Sequence, residues 1–78
     1  MILMNIRDYE IEIKRHAFIQ AMKRGIHPDM IESALKGGRI ERHGKNKVKF
    51  VKKFKNFTVV CVDEILGNKI KIVTIEKR

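Results

Sequence analysis

The chain has one cysteine, one proline, one glutamine and no tryptophan in 78 residues. With Cys61 alone, no disulfide can form within one copy and no CxxC zinc site exists. Cys61 stands among valines in TVVCVDEI and reads as a small buried hydrophobe. No apolar run approaches the ~20 residues that span a bilayer. The apolar patch MILM is too short for a signal peptide, and acids follow it closely. The expectation is a soluble cytoplasmic protein with no membrane association. HExxH, Walker and GxGxxG patterns are absent. The acids are scattered, with Asp63-Glu64 the one adjacent pair, and Ser33 has no glycine elbow around it. No metal site and no cofactor is expected, which sets aside nucleotide-triphosphate enzymes and α/β-type hydrolases.

What the chain has in excess is positive charge. Eighteen Lys and Arg face nine acids, a formal net charge of +9. Nine of those cations lie between Lys36 and Lys55, against one acid, Glu41. A domain this basic neutralises something anionic, most often nucleic acid. The crowding predicts a phosphate-tracking surface made of Arg39, Arg42, His43, Lys45, Lys47 and Lys49, with Lys23 from the preceding helix. Binding through it would be strongly salt-dependent. A plainer alternative is a solvated strand face whose lysines protect a sheet edge. Phe50, Phe54 and Phe57 read as core residues rather than base-stacking platforms. The Ile-, Lys- and Glu-rich composition also recurs in proteins of thermophiles.

The length allows one domain, residues 1–78. Residues 1–8 read as a lead-in, and 9–14 as a short extended segment, because YEIEI alternates apolar and acidic side chains. Residues 15–37 read as two helices. In the first, Ala17, Phe18, Ala21 and Met22 share one side, and Gly25 ends it. In the second, Pro28 and Asp29 mark the start, Met30, Ile31, Ala34 and Leu35 form the apolar face, and Gly37-Gly38 the stop. Residues 39–77 read as strands joined by short turns, hence an antiparallel meander of about four. The predicted class is α+β, with two N-terminal helices packed on one sheet face. TVVCV is apolar on both sides, so Val60 and Val62, joined by Val51, Val73 and Ile75, would need a cover on the second face. A homodimer through that face would supply it.

Three histidines are candidates for chemistry. His16 shares the polar face of the first helix with Gln20 and Lys23, with Arg24 on its shoulder. RNA cleavage without a metal needs a base, an acid and a cation for the crowded phosphorane. His serves the first two roles and Arg the third, since guanidinium matches phosphate bidentately. A solvated surface residue is the competing reading of His16. His27 precedes Pro28 and reads as a helix cap. His43 lies beside the Gly44 turn within the basic hairpin.

HAFIQAMKRGI followed by HPDMIESALKGGRIE resembles the N-terminal half of a widespread small prokaryotic domain of uncharacterised function, and TVVCVDE and IKIVTIEK resemble its closing strands. The likeness covers about residues 9 to 77, and its most specific part is the spacing from His16 to Arg24-Gly25-Ile26. That family is similar to the BrnT and RelE toxins of the barnase–EndoU–colicin–RelE fold. The resemblance implies a metal-independent endoribonuclease, the toxin of a toxin–antitoxin pair, acting through His16, Arg24 and Thr74 and held by an acidic antitoxin protein. The chain departs from the pattern at Gln20, where the family often has arginine, and at Glu76, near where it often has tyrosine. Two alternatives stand beside the nuclease: a non-catalytic RNA-binding or ribosome-associated module, and an interaction protein docking an acidic partner.

Overall fold

A computed structural model of the chain describes residues 2–6, 9–42 and 44–78, with residues 2–6 by backbone alone. Among the described residues six strands and two helices follow one another as β1 (Ile2–Ile6), β2 (Tyr9–Ile13), α1 (Arg15–Lys23), α2 (Pro28–Gly37), β3 (Arg39–Arg42), β4 (Lys47–Lys53), β5 (Thr58–Leu66) and β6 (Lys69–Lys77). They make one mixed sheet in the order β1-β2-β6-β5-β4-β3.

The expected α+β class holds, and so does the antiparallel pairing from β3 through β6. The four-strand, helices-first layout does not. Part of the predicted lead-in is strand β1, antiparallel to β2. The extended segment 9–13 is β2, inserted parallel to β6. Alternation in YEIEI reports a strand but carries no information about its neighbour. The strand entered after the two helices, β3, runs opposite to β2, and the three antiparallel reversals from β3 to β6 then bring the last strand back in the direction of β2. Beyond the end of β2, the amide of Lys14 donates to the carbonyl of Ile72 at 3.1 Å, so the parallel ladder runs into α1.

The end of α1 explains Arg24-Gly25-Ile26. The amide of Gly25 donates to Met22 at 3.1 Å and that of Ile26 to Ala21 at 2.8 Å. This is a Schellman cap, which needs a left-handed residue just past the helix, and Gly25 has φ 76°. Ile26, the next residue, is fully buried and anchors the turn. In α2, Pro28 occupies the first turn as expected, but His27 makes no side-chain capping bond. A Cβ on Gly38 would lie 2.4 Å from the carbonyl oxygen of Ala34 and 2.9 Å from that of Val51. Only glycine fits where the chain leaves α2 for β3.

The core lies between the helices and one sheet face. Ala17 and Ala21 of α1, and Ile31, Ala34 and Leu35 of α2, are buried against Ile11, Ile13, Val48, Phe50, Val59, Cys61, Ile70, Ile72 and Ile75. Val60, on the other face, is also buried within the single chain. Val51, Val62 and Val73 are half-buried there. Ile75, expected there, faces the helices instead.

Candidate functional site

Strand β6 decides where the predicted residues fall. Its pairing with β5 runs Ile65–Ile70 and Asp63–Ile72, then Val62–Thr74 and Cys61–Ile75. The register shift at Val62/Asp63 leaves Val73 as an extra residue in β6. A β-bulge of this kind reverses the alternation beyond it. Thr74, expected on the helix-facing row with Ile70 and Ile72, is therefore on the opposite face beside Val62. Ile75 takes its place in the core.

Arg24 reaches β6 from the other direction. Its Nη1 donates to the carbonyl of Ile75 at 2.8 Å, and Lys77 Nζ donates to the carbonyl of Arg24 at 3.3 Å. Lys77 also lies 4.8 Å from the centroid of the Phe57 ring. β2 pairs with β6 only as far as Ile72, so the carbonyl of Ile75 faces an edge with no strand beside it. Arg24 supplies the missing donor there and ties the end of α1 to the last strand.

His16 is exposed at the start of α1. Eight residues of helix separate it from Arg24, an axial distance of about 12 Å. His16, Arg24 and Thr74 are thus not brought to one point. The first two lie at opposite ends of one helix, and the third is on the far face of the sheet.

The cations of the basic hairpin are divided between the two faces. Arg42 is level with Val48 on the helix side, whereas Lys47 and Lys49 point to the outer face. Arg39 is engaged with the carboxylate of Glu41. Lys23 and Lys45 are exposed, and His43 lies outside the described residues. On the outer face the charges alternate across the strands, with Lys47 opposite Glu64, Glu64 opposite Lys71 and Lys71 opposite Glu12. Glu12, only 6% exposed, is 3.7 Å from Lys69 Nζ and 4.0 Å from Lys71 Nζ. The outer-face lysines of β4 also stand opposite acids, Lys47 opposite Glu64 and Lys49 opposite Glu41, but among the described residues neither is in an ion pair, whereas Glu12 is within reach of two lysines.

Sequence reasoning missed Asp63. It occupies the core face between Val48 and Ile72, is 0% exposed, and neither carboxylate oxygen has a hydrogen-bond partner. Burial pushes its pKa up to about 9, so it is held as the neutral acid at pH 7. Burial, aided by Asp63, pushes the Cys61 thiol up to about 12. Cys61 is an unreactive core residue, as expected. In the sequence, the signal for Asp63 was an acid in phase with Val59 and Cys61, on the row that becomes the core.

Beside Asp63 the helix-side face is left uncovered at one end, where a cleft of about 170 Å³ opens. Its walls are Tyr9 and Ile11 of β2, Ile70 of β6, Ile65 of β5, Val48 and Phe50 of β4, and Ile40 and Arg42 of β3. Among the described residues no group of three or more His, Cys, Asp or Glu side chains is placed to hold a metal ion, and no helix is long and apolar enough to cross a membrane.

No family model, curated protein or solved structure matches the chain.

Proposed function

We propose that the protein binds RNA through the cations of its β3–β4 hairpin, in the manner of a small toxin-like or ribosome-associated domain. The observation that carries this reading is the charge: nine of eighteen cations fall between residues 36 and 55, beside one acid. That acid, Glu41, is already matched by Arg39. Lys45, Lys47 and Lys49 are left to meet phosphates, with Lys23 exposed at the end of α1. Measuring affinity for single-stranded RNA against salt tests it. Replacing Lys45, Lys47 and Lys49 together by Gln should reduce the salt slope by about two, since each phosphate contact contributes ~0.7. An unchanged slope sinks the hairpin as the binding surface. Weak RNA affinity together with a tight complex with one acidic protein would replace this reading by the protein-interaction one.

Metal-independent cleavage of that RNA is the second reading, favoured by one observation. Arg24 spends Nη1 on Ile75, and the rest of its guanidinium has no partner among the described residues. It would hold one phosphate while His16, about 12 Å along the helix, acts as base or acid at another. RNA incubated with the protein in EDTA should then acquire 2′,3′-cyclic phosphate ends. His16→Ala should suppress them by about two orders of magnitude, the scale of general acid–base catalysis. Thr74, on the far face, takes no part, so Thr74→Val should leave cleavage unchanged. Cleavage surviving in His16→Ala removes His16 from the chemistry.

A further inference from the structure

We propose that the cleft at the open end of the helix-side face binds a small apolar monoanion, with its hydrocarbon body against Ile11, Ile65 and Ile70 and its carboxylate on Arg42. The inference does not depend on the RNA reading.

The cleft is concave, open to solvent and walled almost entirely by carbon. Isoleucines come from four strands, and Val48 and Phe50 complete the floor. Such a surface gains by losing water. Ile40, on one wall, is left 43% exposed, one of few large hydrophobics so placed among the described residues. The size is right for a small body. An apolar cavity of about 150 Å³ accepts benzene, and this one measures about 170 Å³.

Charge identifies the head group. Among the described residues Arg42 is the one ionised side chain on the cleft wall. Among the described residues Arg39 and Arg78 have carboxylates, and Arg24 has a carbonyl. Arg15 and Arg42 have none of these, and of the two it is Arg42 that lines the apolar cleft. A guanidinium at the rim of a hydrocarbon cleft matches a carboxylate bidentately and repels an ammonium. A nucleobase fits less well, because its edge of donors and acceptors would be stripped of water against aliphatic walls. Among the described lining side chains only the Tyr9 hydroxyl and Arg42 could replace that water, and an unsatisfied polar group is costly to bury.

Titration of the isotope-labelled protein with benzoate, hexanoate, benzyl alcohol and benzylammonium, followed by amide shifts, tests the proposal. Benzoate or hexanoate should perturb amides of β2, β3 and β4 around the cleft and bind at least about fivefold more tightly than benzyl alcohol, roughly 1 kcal/mol at room temperature. Benzoate and hexanoate together distinguish a ring from a chain as the preferred body. Arg42→Gln should abolish that preference while leaving benzyl alcohol binding in place. Lys53→Gln, which removes the same charge from the outer face, should leave the preference intact. Ile40→Asp, at an exposed position, should weaken both ligands. Equal losses in Arg42→Gln and Lys53→Gln, shifts spread over the surface lysines, or benzylammonium binding as well as benzoate would each overturn it.

Discussion

Two buried acids sit on opposite faces of the same sheet, and their surroundings differ. Glu12, on the outer face, is met by Lys69 and Lys71 from the adjacent strand. Asp63, on the helix-covered face, has Val48 and Ile72 beside it and no partner for either oxygen. The outer face neutralises its acid by pairing, and the inner face by keeping the proton on. Keeping the proton on Asp63 makes the fold sensitive to pH across the neutral range.

The largest expected effect follows from that contrast. Asp63 has a folded-state pKa of about 9 against an ordinary value of 3.8. Between those values the unfolded chain releases a proton that the folded chain retains. Stability contributed by this site is therefore full below about pH 4 and falls as pH rises toward 9, by an amount on the order of several kcal/mol. Denaturant unfolding at pH 5 and pH 8.5 should show the decline, and Asp63→Asn should flatten it. A wild-type protein equally stable at both values would mean that Asp63 has a partner or a water in solution.

Of intermediate size is the gain from removing the acid outright. Asp63→Val replaces an unsatisfied carboxyl by an apolar group of similar size, and should stabilise the protein at pH 7 by about 1–3 kcal/mol. The smallest effect belongs to the paired acid. Glu12→Gln leaves two lysines that are about a third exposed, so the loss should be about 1 kcal/mol or less and should shrink in high salt. If Glu12→Gln costs more than Asp63→Val gains, the two faces have been ranked the wrong way round.

Much of the fold is legible in the residues. The apolar spacing of Ala17, Phe18, Ala21 and Met22, the Pro28 start and the glycine stops place both helices closely, and the Gly44, Asn56 and Gly67-Asn68 turns separate β3, β4, β5 and β6. The parallel partner of β2 is not legible, because strand alternation is the same beside any neighbour. The bulge is hidden for a related reason. In KIKIVTIEK every residue from Ile70 to Ile75 suits a strand, so nothing marks Val73 as the unpaired one, and a shift of one residue carries Thr74 to the other face.

The candidate site was less legible than the fold. Arg24-Gly25-Ile26 stands out in the sequence and invites a catalytic reading. Gly25 and Ile26 are accounted for by the helix cap, and Arg24 by a carbonyl 51 residues away. The charge excess of the hairpin is visible in composition, but its division between two faces depends on register. The cleft draws on five strands spread along the sequence, and no local pattern announces it.

The position of β6 between β2 and β5 has a consequence for how the sheet is assembled. The N-terminal hairpin and the β3–β5 meander touch no strand in common except β6. Until that strand is in place, Ile11 and Ile13 have no sheet to join and the hydrophobic faces of α1 and α2 lack a shared floor. Hairpin and meander can each form early from near neighbours, but closure awaits the strand that is synthesised last of the six. The sheet is thus a two-piece object locked by β6, and the core cannot exist until that strand has left the ribosome.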